Sequence, residues 1–402
     1  MEAGEFVSRL GLVIANAVSS GVLHITDFSL STLSIVFSFL DSWKDALLMA
    51  SDSVREVNLK KEKSITEVIQ ENAVVFSQIR TAISNFTRES YNLIYDNKNV
   101  ASVIGSSKDN LLGFSDIKMS FRANGEDITT ETAFELFQKS KKSKAVLMIP
   151  GLFCDERVWR DKVKPDGSYY PGISTVLDEL GLYPVYLRFN PGLHISSNGK
   201  YLLSAIKKWI SFSKKPFSVI SYSQGGLVLR SALYYSTKEN IDLRNSISDI
   251  HLISTPNGGS YLEKLGYWAG LLVEKAAPPP FHYIGVVGNL RSDGIKDLSH
   301  GVIRDDDWKD TSQINRYLRA HYHGELDSFR VFEYYSVLSD LQNPISNWFG
   351  DGIIEKASLS SLTKILEERC GGFQSKVYPG FNHFSLMESV EFQNDLKKSI
   401  FL

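Results

Sequence analysis

Cysteine and net charge are both scarce in this sequence. Its 402 residues include two cysteines, Cys154 and Cys370, and the formal net charge at pH 7 is −2. Two cysteines so far apart form neither a disulfide framework nor a metal-ligand spacing, which fits a reducing, cytoplasmic location. A near-neutral chain without a basic stripe gives no electrostatic basis for binding nucleic acid. Disulfide scaffolds, cysteine-based metal centres and nucleic-acid-binding proteins are therefore disfavoured.

The N-terminal region lacks an apolar run of membrane-spanning length. Residues 10–26 and 28–40 carry no formal charge, but Asp27 separates them, and each run is shorter than the roughly 20 residues that a transmembrane helix needs. The acidic start also lacks the basic segment of a secretory signal. We expect residues 1–110 to form a helical region packed on the rest of the protein. Peripheral membrane contact through residues 1–50 is the alternative, and it would make the protein membrane-associated.

From residue 111 onward, short apolar runs alternate with segments of helical periodicity. Strands are predicted at 117–122, 126–130, 145–149, 184–189, 217–222, 250–254, 329–337 and 374–378, and helices at 171–180, 199–212, 227–233, 358–368 and 386–398. This alternation predicts an α/β fold with a mostly parallel central sheet over residues 111–402. The connection across residues 260–328 exceeds what a crossover needs, and its apolar residues have helical spacing. We interpret it as a helical insertion over the strand ends, and two roles remain open for it: a substrate cap or an extra packed pair of helices.

One segment joins a buried strand to a helix through a very tight turn. Residues 217–222 are apolar and strand-like, and Ser223, Gln224, Gly225 and Gly226 lead directly into a helix. A strand, a sharp turn and a helix with small flanking residues form the nucleophile elbow that exposes a serine hydroxyl. Ser221 stands where glycine is usual in this pattern. The segment predicts that Ser223 is a nucleophile.

An acid and a histidine that could serve this serine follow it in the chain. His383 comes a few residues after the last predicted strand, and Asp351, between two glycines, comes after the strand before it. The carboxyl ends of parallel strands form the edge where sites occur in open α/β sheets. A serine hydroxyl needs a base, and the base needs an orienting acid. Asp340 lies nearer its strand and remains the alternative acid.

Hydrolysis through a serine also needs backbone donors for the oxyanion of the tetrahedral intermediate. The amide of Gln224 directly follows the nucleophile. A second donor is expected in the loop after the strand at 145–149, where Gly151 permits a close approach. Leu152 is the preferred residue and Phe153 the alternative.

Together, these segments resemble the lipase and esterase branch of the α/β-hydrolases. The resemblance is carried by residues 145–154, 221–226, 351–352 and 382–383, and by the Thr-Pro-Asn-Gly-Gly-Ser segment at 255–260, which is similar to one in triacylglycerol lipases. It covers residues 115–402. Pro150 and Asn257 stand where such lipases often carry histidine, which leaves substrate preference open. The resemblance implies an α/β-hydrolase fold.

These observations lead to the hypothesis of a serine hydrolase that cleaves carboxylic esters. The aromatic and apolar insertion favours a lipid or acyl ester, and the chemistry needs no cofactor or metal. Acyl transfer to an alcohol by the same triad is one alternative. Another is a membrane-associated interaction protein with an inactive hydrolase core. The oligomeric state is left open.

Overall fold

A computed structural model describes residues 117–152, 154–163, 167–260, 293–309, 322–339 and 350–401. The predicted helical region at 1–110 lies outside these ranges, as does most of the predicted insertion. None of the helices within the described ranges is long and apolar enough to cross a membrane.

The core is one eight-stranded sheet, and a separate two-stranded hairpin lies outside it. The strands are β1 (Ser120–Ala123), β2 (Glu126–Ile128), β3 (Lys144–Ile149), β4 (Lys162–Val163), β5 (Tyr169–Tyr170), β6 (Leu182–Arg188), β7 (Phe217–Tyr222), β8 (Ile247–Ile253), β9 (Val331–Val337) and β10 (Gln374–Pro379). The helices are α1 (Thr130–Ser140), α2 (Ile173–Glu179), α3 (Ile195–Phe212), α4 (Gln224–Lys238), α5 (Asp293–His300), α6 (Asp305–Lys309), α7 (Lys356–Leu359), α8 (Thr363–Arg369) and α9 (Val390–Phe401). Short 3₁₀ helices cover Glu156–Trp159 and Ser385–Glu388.

The sheet is mostly parallel, as the sequence predicts. Its order is β10-β9-β8-β7-β3-β6-β1-β2, and all pairings from β10 to β6 are parallel. β1 is antiparallel to both β6 and β2. Asn124 and Gly125 join β1 to β2 with positive φ angles of 53° and 84°, which suits a two-residue hairpin turn. The predicted fold class is thus confirmed.

Helices cover both faces because alternate strand residues point to opposite sides. In β3, Ala145, Leu147 and Ile149 pack with α1, α3, α4 and α8, whereas Val146 and Met148 pack with α2 and α9. Both layers are dominated by buried Leu, Ile, Val and aromatic side chains. The central strands are therefore covered on two sides, and their carboxyl ends meet at one edge.

Two helical regions differ from the predictions. The predicted single helix at 358–368 is split into α7 and α8, because the hydroxyls of Ser360 and Ser361 donate to the carbonyls of Lys356 and Ser358, and such local bonds compete with a continuous helix. Helix α1 was not predicted. It begins at Thr129, whose side chain accepts a hydrogen bond from the amide of Thr132 and caps the helix.

Candidate active site

Ser223 lies in a strained turn between β7 and α4. Its backbone has φ 53° and ψ −126°, a conformation that non-glycine residues rarely adopt. Such a conformation costs roughly 1–3 kcal/mol and persists where the surrounding structure imposes it. The amide of Ser223 donates to the carbonyl of Ile253 at 2.9 Å, and the carbonyl of Ser223 accepts from the amide of Gly226 at 3.0 Å. The turn has the geometry of a nucleophile elbow.

The glycines after Ser223 let α4 approach the neighbouring loops. A Cβ on Gly225 would clash with the carbonyl oxygens of Pro150 and Ile149, and one on Gly226 would clash with the side chain of Thr255. Ser221, in the usual glycine position, is fully buried, and its hydroxyl donates to the carbonyl of His251 at 3.2 Å. The extra Cβ and hydroxyl of this serine are thus accommodated within the sheet.

His383 and Asp351 form a buried pair in the loops after β10 and β9. Nδ1 of His383 lies 2.6 Å from Oδ2 of Asp351. The amide of His383 also donates to the carbonyl of Asp351 at 2.9 Å. The other carboxylate oxygen accepts the amides of Ile353 and Ile354 at 3.0 and 2.9 Å. A carboxylate held by these bonds fixes the orientation of the imidazole.

Glycines on both sides of Asp351 shape this loop. Gly350 and Gly352 have φ angles of 52° and 92°. A Cβ on Gly350 would clash with the carbonyl of Ile354. The alternative acid, Asp340, lies outside the described residues. Of the two candidates, Asp351 is therefore the one whose contact with His383 the structure describes.

Tyr222, the last residue of β7, brings the histidine loop to the elbow. Its hydroxyl donates to the carbonyl of His383 at 3.1 Å, and the two ring centroids are 5.0 Å apart. Because Tyr222 directly precedes Ser223, the three predicted catalytic residues lie at the same edge of the sheet. Ser223 is 8% exposed and His383 is 3% exposed.

The loop after β3 contacts the nucleophile. A Cβ on Gly151 would lie 2.8 Å from Cβ of Ser223, so only glycine fits there without a shift. Leu152 follows and packs against the core, and Gln224 begins α4. The alternative donor, Phe153, lies outside the described residues. Gln224, one preferred donor, directly follows Ser223, and Leu152, the other, follows the glycine that contacts Ser223.

The side chain of Gln224 also ties the elbow to the end of the insertion. It is fully buried, and its Nε2 donates to the carbonyl of Gly294 in α5 at 3.3 Å. α5 is held in turn by Asp297, whose carboxylate accepts the amide of Ile195 at 2.9 Å and lies 3.0 Å from Nδ1 of His194. This part of the predicted insertion is therefore fixed to the sheet edge.

Asn257 belongs to a buried polar network. Its Oδ1 accepts from Arg230 at 3.0 Å, and its Nδ2 donates to Glu333 at 3.4 Å. Arg230 also donates to Glu325 at 2.8 Å, with both side chains fully buried. Burial raises the pKa of Glu333 to about 7. Sequence reasoning missed this network, although an arginine inside the apolar run of α4 was the signal for it.

No group of His, Cys, Asp or Glu within the described ranges has the arrangement of a metal site. Neither of the two described cysteines forms a disulfide. A serine mechanism of the predicted kind needs neither a metal ion nor a thiol.

No protein-family model matches the chain, and no curated protein sequence matches it either. Among solved structures, it is similar to the mature form of the Bacillus licheniformis lipase BlEst2, at 15% identity over 65% of this chain and 91% of that one, with a TM-score of 0.41. It is also similar to a structure from a study of carboxylesterases of the thaumarchaeon Nitrososphaera gargenis, at 9% identity over 70% and 93% of the two chains, with a TM-score of 0.38. A thermophilic esterase from Thermogutta terrifontis matches at 12% identity over 64% and 88%, with a TM-score of 0.35.

The fold class of this chain follows from its own sheet topology and from the turn at Ser223, independently of these similarities. A mostly parallel sheet runs from β6 to β10 with an antiparallel hairpin at one edge, and a strained serine joins the central strand β7 to α4. This is the α/β-hydrolase fold.

Proposed function

We propose that this protein is a serine hydrolase that cleaves carboxylic esters through an acyl-enzyme. The observation that carries the proposal is the strained backbone of Ser223, adjacent to a residue that contacts the His383–Asp351 pair. A non-glycine residue with positive φ at the end of a central strand serves a purpose when it must present its side chain above the sheet. Here that side chain is a hydroxyl.

In the proposed first step, Oγ of Ser223 attacks the ester carbonyl carbon while its proton passes to Nε2 of His383. Asp351, bonded to Nδ1, orients the imidazole and stabilises the imidazolium. The amides of Leu152 and Gln224 hold the oxyanion. When the tetrahedral intermediate collapses, the C–O bond breaks and the alcohol leaves with the proton from His383.

In the second step, water attacks the acyl-enzyme. His383 takes the proton from the water, a second tetrahedral intermediate forms, and the carboxylic acid leaves as Ser223 recovers its proton. If an alcohol replaced water in this step, the product would be a new ester. Product analysis with an added alcohol distinguishes the two outcomes.

The proposed substrates are lipid or acyl esters. Support comes from the apolar and aromatic composition of residues 261–272, in the insertion that returns to the elbow through α5. Because Gln224 donates a hydrogen bond to the carbonyl of Gly294, the start of α5 borders the proposed site.

Labelling with a fluorophosphonate probe tests the mechanism. The wild type should be labelled, and Ser223→Ala should not be, with a loss of esterase activity of at least about 10⁴-fold. Ser218→Ala is the matched control because Ser218 is a fully buried serine on the same strand. Equal labelling of Ser223→Ala, or no labelling of the wild type, would contradict the proposal.

Hydrolysis of p-nitrophenyl esters from acetate to palmitate tests the substrate class. Serine-dependent activity that rises with acyl length is expected if the insertion binds the chain, because each buried methylene contributes about 0.8 kcal/mol. Activity confined to acetate would contradict the lipid assignment while leaving the serine mechanism intact.

A further inference from the structure

Four contacts fix His383 at the edge of the sheet. Two of them come from Asp351, which accepts the His383 amide through its carbonyl and lies 2.6 Å from Nδ1 through its carboxylate. These two contacts hold one side of the residue. They do not by themselves prevent the imidazole from tilting about the line between Nδ1 and the carboxylate.

The other two contacts come from Tyr222. Its hydroxyl donates to the carbonyl of His383 at 3.1 Å, so that both the amide and the carbonyl of the histidine are bonded. Its ring lies beside the imidazole, with centroids 5.0 Å apart and planes inclined by 34°. A ring at this distance blocks tilt toward its own side, while Phe384 meets the imidazole edge-on at 5.4 Å.

Tyr222 is itself rigidly held. It is 1% exposed, and Trp159 packs against its ring edge-on at 6.2 Å. A Cβ on Gly151 would lie 3.1 Å from Cδ1 of Tyr222, so the oxyanion loop also closes on this ring. A tyrosine with this little freedom can transmit a fixed position to whatever it contacts.

Tyr222 also shares a peptide bond with Ser223. Tyr222 is therefore joined covalently to the nucleophile and contacts the base through its hydroxyl and its ring. Proton transfer requires Oγ of the serine and Nε2 of the histidine within hydrogen-bond reach, and small misplacements reduce rates strongly.

We infer that Tyr222 is the positioning residue of His383, acting through its hydroxyl on the histidine carbonyl and through its ring on the imidazole. The inference rests on the proposed function, in which His383 is the base. In this role, the effect of Tyr222 is carried entirely by His383.

Three variants separate this role from ordinary core packing. Tyr222→Phe removes the hydroxyl and keeps the ring, whereas Tyr222→Leu removes both. Tyr334→Phe is the matched control: Tyr334 is a buried tyrosine of the same face, and its hydroxyl pairs with Ser399 at 2.7 Å. Each phenylalanine variant loses one buried hydroxyl contact, but only at position 222 is the partner His383.

The expected kinetic result is a graded loss in kcat. Tyr222→Phe should lower kcat by about tenfold, the effect of losing one hydrogen bond in a buried site. Tyr222→Leu should lower it by about 100-fold, as expected for a misplaced catalytic group. KM should change little in both, because ground-state binding of the ester is not affected. Tyr334→Phe should keep the wild-type kcat.

Proton NMR gives a readout that needs no turnover. The proton in the short buried bond between His383 and Asp351 should give a sharp low-field signal, protected from exchange, which His383→Gln identifies by its loss. The signal should stay sharp in Tyr334→Phe and broaden in Tyr222→Phe. Full melting curves for all variants separate loss of position from loss of fold.

Each of the following results would overturn either the inference or the proposed function. If Tyr222→Phe keeps both the wild-type kcat and the sharp signal, the inference is wrong. It is also wrong if the two phenylalanine variants lose kcat equally, since the effect would then be general packing. A wild type that neither hydrolyses esters nor reacts with the fluorophosphonate would overturn the proposed function. Wild-type labelling at Ser223 with an unaffected Tyr222→Phe would overturn this inference alone.

Discussion

Two buried histidine–aspartate pairs in this protein have similar local geometry and different surroundings. Nδ1 of His383 lies 2.6 Å from Asp351 in loops beyond the strands, and Nε2 of His251 lies 2.8 Å from Asp249 within β8. All four side chains are at most 4% exposed. The first pair adjoins a serine with a strained backbone. The second lies within the sheet, on strand β8. A buried pair of this kind therefore acquires catalytic potential from its position in the fold.

The surroundings of the second pair explain why it is structural. The ring of His251 stacks on Phe332 with centroids 5.0 Å apart and planes inclined by 8°. Asp249 accepts from Lys144 at 3.0 Å and from Ser248 at 2.6 Å. Nδ1 of His251 is buried without a hydrogen-bond partner, so protonating it would bury an unpaired donor. Burial accordingly lowers the pKa of His251, although the hydrogen bond to Asp249 opposes this.

The largest expected effect comes from making one substitution at both histidines. His383→Gln should reduce ester hydrolysis by about 10⁴-fold, because the base is lost. His251→Gln should keep its rate per folded molecule and lower the free energy of unfolding by roughly 2 kcal/mol, because the stacked ring and its hydrogen bond are lost. Activity and urea unfolding, measured on the same samples, compare the two. An inactive but fully stable His251→Gln would contradict the comparison.

The two aspartates extend the contrast to the dependence of stability on pH. Asp249→Asn should cost about 2 kcal/mol, because a charged acceptor of several hydrogen bonds is removed. Burial acts to raise the pKa of Asp249, but hydrogen bonds from His251, Ser218 and Ser248 lower it below the usual range. A depressed carboxyl pKa gives stability that is present above the unfolded pKa of about 3.9 and is lost as pH falls further.

The loss of stability in acid should therefore be shallower in Asp249→Asn than in the wild type. Urea unfolding from pH 7 down to pH 3 measures it, and Asp351→Asn is the matched control at the other pair. The control should lose activity strongly because the proposed orienting carboxylate is neutralised, whereas Asp249→Asn should keep its activity per folded molecule. Parallel acid profiles for Asp249→Asn and the wild type would show that Asp249 does not contribute in this way.

Local signals were sufficient to predict the mostly parallel sheet, and they also indicated three residues as candidates for the site. Apolar strands of period two, a Ser-Gln-Gly-Gly turn and loops after the last two strands each depend on a few neighbouring residues. The hydrogen bond from Tyr222 to His383 could not be predicted because it joins residues 161 positions apart, and nothing in the sequence near Tyr222 specifies its partner. The pairing of Arg230 with Glu325 is equally non-local. Packing, rather than pattern, determines such contacts.

A third pair, between His194 and Asp297, gives the smallest expected effect on stability. Its dependence on pH is opposite to that of Asp249. Unlike His251, His194 is partly exposed, and its Nε2 also lies 3.5 Å from Asp293. Burial acts to lower the pKa of His194, but the hydrogen bond and charge of Asp297, with Asp293 and Asp305 adding to them, raise it above the usual value. A raised histidine pKa gives stability that is fully present below the unfolded pKa of about 6.5 and is lost as pH rises through the folded pKa.

His194→Gln should therefore destabilise the protein by up to about 1 kcal/mol at pH 6 and by less at pH 9, since a partly exposed pair is screened by solvent. His323→Gln is the matched control, because burial and the charge of Arg304 lower the pKa of that half-buried histidine and its contribution is lost as pH falls. The two variants should differ from the wild type with opposite pH trends in urea unfolding. Because Asp297 also accepts the amide of Ile195 at the start of α3, its contact with His194 joins α5 to the start of α3. If the His194→Gln difference is the same at both pH values, the His194–Asp297 contact contributes packing alone.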